Sequence, residues 1–297
     1  MKVGLALGGG GAKGSYQLGV LKALIEHGIL YDHIDAVAGT SIGAMNALMV
    51  TGRMSYEEMN EVWYDMSNKD VYNTQYLLIK QSKLFSLKSL YEMLKTKLSV
   101  ERIYQSPIQG FATLTKVNGF NIGKQIDQRQ MEKVVLNYNT SQEPHKISIA
   151  SASVPLVFGA TQIDGSYYID GGLSDNFSVQ PLIDAGCDII IVVPLSTNKF
   201  DPTPYLDKAT IINLGPIKPL AISYVASLNF NKELLDKRQS YGYELANQML
   251  LYLKNEGFIN KKNKFVIKDK QLFTFENMKN QIDQSFEVSL NDEIMKW

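Results

Sequence analysis

Ser41 stands at the centre of Gly39-Thr40-Ser41-Ile42-Gly43, a G-x-S-x-G pattern whose chemistry is nucleophilic attack by a serine hydroxyl. The spacing has a steric cause. A side chain thrown outward from a tight strand-to-helix turn needs neighbours two residues away with no side chain to clash. The following helix also aims its first N–H groups at the nucleophile and favours negative charge there. A second run, Gly8-Gly9-Gly10-Gly11-Ala12-Lys13-Gly14, offers successive backbone N–H groups unobstructed by side chains. Such a loop suits an oxyanion hole at Gly9, Gly10 and Gly11. It also fits the dinucleotide fingerprint G-x-G-x-x-G through Gly9, Gly11 and Gly14. That fingerprint expects an acidic residue at the end of the second strand, whereas Asp35 opens the strand whose far end leads to Ser41. A phosphate-binding P-loop is excluded because Ala12 occupies the glycine position before Lys13.

A serine hydroxyl needs a positioned base. The chain holds three histidines, His27, His33 and His145. His27 falls near the end of the first helix, His33 in the connection before the second strand, and His145 before an apolar run at Ile147. All three are expected at the far end of the sheet from Ser41, which argues against a Ser-His-Asp triad. A carboxylate remains, and two Asp-Gly pairs compete. Asp164-Gly165 lies between two short apolar runs and is explained by a hairpin turn. Asp170-Gly171-Gly172 leads into a loop with no hairpin partner, where two glycines let the backbone approach another loop closely. The residues favour Asp170 and leave Asp164 open.

The elements that must position these residues alternate between strands and helices, the signature of parallel βαβ units. Val3 to Leu7 reads as a strand covered on both faces. Leu18, Leu21, Leu24 and Ile25 fall at helical spacing, with Gly28 as a stop. Ile34 to Ala38 is a second predicted strand, and Ala44 to Val50 a small-residue helix. The stretch 55–98 is helical in pattern and carries Trp63, Tyr64, Tyr76, Phe85 and Tyr91. Phe111 to Thr115 and Phe120 to Ile122 read as a hairpin around Asn118-Gly119. Ile147 to Ala150 reads as a short strand, Thr161 to Ile163 with Tyr167 to Ile169 as a second hairpin, and Ile189 to Val193 as a late central strand. A polar, proline-bearing stretch from Asn198 to Pro204 divides a domain at 1–200 from a mainly helical extension at 201–297. That extension contains a long helix predicted from about Ala221 to Leu253.

Composition bounds the function. Thirty Lys and Arg balance thirty Asp and Glu, which gives no broad basic face for nucleic acid. Cys187 is the lone cysteine, so no intrachain disulfide forms, and no Cys/His cluster has metal-ligand spacing. No cofactor and no metal are expected. The start, Met1 to Leu7, is read as a buried strand and not as a signal peptide, because its apolar run stops at once in glycines. The expectation is a cytoplasmic protein, with any membrane contact peripheral.

Three ordered blocks resemble the patatin-like phospholipases, particularly bacterial members. They are Gly9-Gly10-Gly11-Ala12-Lys13-Gly14, Gly39-Thr40-Ser41-Ile42-Gly43 and Asp170-Gly171-Gly172. The segment Ala150-Ser151-Ala152-Ser153-Val154-Pro155 is similar to the family's Ala-Ser…Pro segment. The resemblance covers about the first 200 residues, and the remainder resembles only the helical extension of some bacterial relatives. It implies a three-layer αβα fold with a mostly parallel central sheet. It also implies a Ser41–Asp170 dyad, an acyl-enzyme and a lipid ester substrate, and it matches Lys13 to the family's basic loop position. The residues by themselves reach only to acyl-ester hydrolysis. An esterase or thioesterase for soluble acyl substrates, a nucleotide-binding module and a non-catalytic lipid-binding module remain the alternatives.

Overall fold

The computed structural model describes residues 1–67, 87–119, 131–155, 158–197, 200–221, 223 and 226–278. Tyr76, Phe85 and the expected strand Phe120 to Ile122 lie outside them. The elements run β1 (Val3–Leu7), α1 (Ser15–Glu26), α2 (Leu30–His33), β2 (Ala36–Thr40), α3 (Ile42–Thr51), α4 (Tyr56–Ser67), α5 (Leu87–Lys97) and α6 (Val100–Tyr104). There follow β3 (Gln109–Val117), β4 (Glu132–Asn137), α7 (Pro144–Ser151), β5 (Thr161–Ile163), β6 (Ser166–Ile169), α8 (Gln180–Asp184) and β7 (Ile189–Val193). The last described elements are β8 (Thr210–Asn213), α9 (Lys232–Asn255), β9 (Leu272–Phe273) and α10 (Phe275–Met278).

One mixed sheet organises the chain, in the order β5-β6-β3-β2-β1-β7-β8-β9, with β4 also on β3. Strands β3, β2, β1, β7, β8 and β9 run parallel, so their C-terminal ends share one edge. β4 and β6 run antiparallel to β3. Side chains alternate across the central strands: Leu5, Leu7 and Val37 enter a large core under α1, α3, α4, α7 and α9. Ala6, Ala36 and Ala38 face a smaller core with Val179 and Leu182 near α8. The result is the three-layer αβα arrangement with unequal outer layers.

Several local expectations shift for identifiable reasons. Ile147 to Ala150 is not a strand but the middle of α7, which opens on Pro144 in its first turn. The alternating Ile147 and Ile149 imitated a strand, yet the intervening Ser148 is buried too, its hydroxyl bonded to Tyr138 Oη at 3.0 Å. The long helix begins at Lys232, eleven residues after the expected start, because Asn231 caps it through Glu233 N–H at 2.9 Å. Among the described residues β3 has two antiparallel partners, Glu132–Asn137 and Ser166–Ile169. The hairpin around Asp164 forms as expected, with Asp164 and Gly165 both at positive φ (47° and 77°), as a type I′ turn requires. Beyond residue 200 the described chain carries α9 and also continues the same sheet through β8 and β9. No described helix is long and apolar enough to cross a membrane.

Candidate active site

β1 and β2 are parallel neighbours, so the loops that leave their C-terminal ends meet. The glycine loop leaves β1 and Ser41 leaves β2. A Cβ placed on Gly9 would sit 3.0 Å from Ser41 Cβ. Ser41 itself has φ 55° and ψ −125°, a conformation that costs a non-glycine residue about 1–3 kcal/mol and has the strained strand-to-helix geometry that a nucleophile elbow requires. The flanking glycines are forced by contact. A Cβ on Gly39 would lie 2.2 Å from the Gly43 carbonyl oxygen, and one on Gly43 would lie 2.1 Å from that of Leu7.

Strand β3 serves as the ruler that brings a carboxylate to the serine. Thr40, the last residue of β2, is level with Thr113, and Ile169, the last of β6, is level with Thr115. The residues that follow, Ser41 and Asp170, therefore emerge side by side. Thr115 Oγ1 donates to the Asp170 carbonyl at 2.9 Å, and Gly171 lies so close to β3 that a Cβ there would be 2.0 Å from the Thr113 oxygen. Ser41 Oγ donates to Asp170 Oδ2 at 2.6 Å, while Asp170 Oδ1 accepts the Gly172 N–H at 2.8 Å. Asp164 is in the hairpin turn on the other side of β6 and does not line the cleft.

Asp170 is buried, and burial pushes its carboxyl up from 3.8 to about 6 against the opposing bonds from Ser41 and Gly172. Any activity that needs the carboxylate should therefore rise with pH through about 6 and level off above it. A pH profile of kcat/KM measures this; a flat profile between pH 5 and 8, an interval about a unit or more either side of that value, contradicts it.

The loop donors sort themselves by their partners. Gly9 N–H donates to the Asn176 carbonyl at 3.3 Å, and Ser41 N–H to Ser151 Oγ at 2.9 Å. Gly10 and Gly11 keep N–H groups that no acceptor among the described residues takes. Lys13 lines the cleft, and its stem crosses Gly10, where a Cβ would meet Lys13 Cε at 3.0 Å. Gly14 packs against Ile42 and Trp63. Behind the loop, Gln17 Nε2 donates to the carbonyls of Gly8 (2.8 Å) and Val193 (3.0 Å), and Asn46 Nδ2 donates to Gln17 Oε1 at 2.8 Å.

Two supporting residues carried no assigned role in the sequence. Ser151 holds the elbow's backbone and donates in turn to the Thr113 carbonyl at 2.7 Å. Asn176 braces the glycine loop with its own carbonyl and with Nδ2, 3.4 Å from the Gly9 oxygen. Their signals were present, in the Ala-Ser…Pro segment and in the loop after Gly172, but neither residue type announces such a task.

The histidines are elsewhere. His145 is buried in α7 and reaches the Leu98 carbonyl at 2.7 Å; His27 pairs with Asn247 at 2.8 Å and His33 with the Lys262 carbonyl at 3.0 Å. None lines the cleft. No group of three or more potential metal ligands occurs among the described residues. The cleft encloses about 650 Å³, with Ser41 and Asp170 beside a wall that includes Ile42, Met45, Leu90 and Phe158. That size and lining fit a hydrocarbon-bearing ligand.

A lysophospholipase of Aspergillus terreus, nte1, is 26% identical over a region covering 86% of this chain and 18% of that protein. An uncharacterised NTE family protein of Mycobacterium bovis is also 26% identical, covering 68% of this chain and 51% of its own length. The chain thus spans less than a fifth of the fungal relative and about half of the mycobacterial one. Among solved structures, VipD from Legionella pneumophila superposes with a TM-score of 0.46 at 14% identity, covering 90% of this chain and 71% of VipD. The type III effector ExoU gives 0.47 at 13% identity, covering 99% of this chain and 60% of ExoU. The patatin-like phospholipase family model matches residues 5–183, which include the glycine loop, Ser41 and Asp170, and the chain belongs to the patatin-like phospholipase family.

Proposed function

We propose that the protein is a serine acyl hydrolase that cleaves lipid carboxylic esters, of the phospholipase A or lysophospholipase type, through Ser41 and Asp170. The observation that carries this reading is the 2.6 Å contact between Ser41 Oγ and Asp170 Oδ2 at the side of an apolar cleft. Asp170 takes the Ser41 proton as Oγ attacks the ester carbonyl carbon. The oxygen that gains charge receives the N–H groups of Gly10 and Gly11, with Gly9 holding the loop's course. Collapse breaks the bond to the alcohol oxygen, which leaves with the proton from Asp170, and Ser41 carries the acyl group. Asp170 then takes a proton from water, whose oxygen attacks the acyl carbon, and the carboxylic acid departs as Ser41 recovers its proton.

A base whose pKa sits near 6 is better matched to neutral pH than an ordinary aspartate. Lipid as the substrate draws support from the apolar wall, from family membership and from the names of the fungal relatives. The reading needs no cofactor and brings the protein to lipid surfaces as a peripheral visitor. A fluorophosphonate should label Ser41 stoichiometrically and fail on Ser41→Ala. Absence of labelling in the folded native protein sinks the proposal. Preference for soluble short-chain esters over micellar or vesicular lipid would transfer it to a soluble-ester esterase.

A further inference from the structure

The family match ends at residue 183, but the cleft does not. Ser196, Ser227, Leu228 and Phe230 line it as well. Residues Ala226–Leu228 form a 3-10 turn that lies on the glycine loop. A Cβ on Gly11 would come within 2.7 Å of the Ser227 carbonyl oxygen and 3.3 Å of Leu228 Cδ2. Phe230 extends the wall and stacks on Trp63 with ring centroids 6.1 Å apart.

Ser223 holds the start of this turn, its Oγ accepting the Ala226 N–H at 3.1 Å and its carbonyl the Ser227 N–H at 3.1 Å, and one side chain from α9 ties the turn to the body of the fold. Arg238 is 2% exposed, and its guanidinium reaches three backbone carbonyls: Nε to Leu220 (3.2 Å), Nη1 to Asn229 (3.1 Å) and Nη2 to Ala226 (3.2 Å). Among the described residues no carboxylate pairs with it, and burial lowers its pKa to about 10. A buried charge met by carbonyls alone among the described residues is an expensive way to fill a core, which an apolar side chain of similar volume fills at least as well. Its return lies in geometry: a rigid fork grips carbonyls on both sides of residues 227 and 228.

We propose that residues 226–230 form the wall that selects the acyl chain, and that Arg238 is the positioning residue that fixes this wall against the glycine loop. The inference rests on the reading of Ser41 as the residue that accepts the acyl group. Leu228 and Phe230 face the space beside Ser41 together with Met45 and Leu90, so the occupant is the hydrocarbon tail of the acid and not a polar head group. The family-matched segment supplies the chemistry, and the segment after it supplies the selection.

Hydrolysis of butanoyl and hexadecanoyl esters of one alcohol tests this, alongside labelling of Ser41 by a small fluorophosphonate. Arg238→Met should lower the hexadecanoyl-to-butanoyl ratio of kcat/KM by about tenfold or more, the loss falling on the hexadecanoyl KM. Arg238→Lys keeps the charge but cannot fork to three carbonyls, so it should fail to restore the ratio. Restoration by lysine overturns the positioning role. Leu228→Trp leaves the clamp in place and should lower the same ratio, which keeps the test decisive where Arg238 variants do not fold. An unchanged ratio in Leu228→Trp, with Ser41 still labelled, overturns the selecting wall alone. Absence of Ser41 labelling in the native protein overturns the hydrolase reading, and this inference with it.

Discussion

Asp170→Asn is expected to abolish ester hydrolysis while making the protein harder to unfold. The loss should reach at least about a thousandfold in kcat, comparable to removal of other catalytic bases. Asparagine keeps the shape and can still accept the Gly172 N–H, but it cannot take the Ser41 proton. The gain in stability follows from the direction of the carboxyl's shift. Folding raises the Asp170 pKa from 3.8 to about 6, so the folded protein binds that proton more tightly than the unfolded chain does. The advantage is fully present at pH below about 3.8 and disappears as pH rises through about 6. At neutral pH the native state carries a buried, ionised group at a penalty of about 3 kcal/mol, which the amide removes. Thermal melts at pH 7 and at pH 4.5 measure this, with the variant's advantage expected at pH 7 and much reduced at pH 4.5. A melting temperature below that of the native protein at pH 7 refutes the account of Asp170, as does substantial residual activity. Ser41→Ala should match the loss of activity and also remove the donor to Asp170.

The second large effect lies away from the chemistry. α1 and α9 cross at two glycines. A Cβ on Gly19 would lie 1.9 Å from the Gln239 carbonyl oxygen, and one on Gly242 would lie 2.1 Å from that of Tyr16. Both obstacles are helix backbone, so no side-chain rotation relieves them, and the helices must separate. Gly19→Ala and Gly242→Ala are each expected to destabilise the fold by about 3 kcal/mol or more, at the upper end for overpacking. Alanine's higher helix propensity, worth about 1 kcal/mol, works in the opposite direction and does not rescue them. Denaturant unfolding gives the answer, and a change below about 1 kcal/mol in both variants contradicts a tight crossing. Because α9 also carries Arg238, surviving folded variants should lose long-chain ester selectivity along with stability.

The sequence displayed the proposed reacting groups better than it displayed their scaffolding. Ser41 and Asp170 announce themselves through flanking glycines, of which Gly39, Gly43 and Gly171 are required by backbone contacts of 2.0 to 2.2 Å. β1, β7 and the Asp164 hairpin were equally plain, because continuous apolar runs and a turn pair leave little choice. α7 was not, since its buried serines look polar in sequence and find their partners only across the fold, at Thr113 and Tyr138. β4 was also hidden. Its residues Glu132 and Lys133 are exposed on a half-covered strand, so no apolar pattern marks it. The start of α9 depended on a single cap, Asn231, and Arg238 carried no pattern at all. A lone arginine in a helix reads as solvated until the loop that wraps it is known.

The use of β3 as a ruler has a consequence for the order of synthesis. Ser41 and its carboxylate partner are 129 positions apart. Neither can be placed until a strand made between them has joined the sheet. The glycine loop waits longer, for Val193 to receive the Gly8 N–H, and residues 226–229 wait for Arg238. A chain leaving the ribosome would therefore present its serine early and its working site late. Contacts of such span form slowly, so the nascent chain carries Ser41 for an interval before Asp170 and the glycine loop are fixed around it.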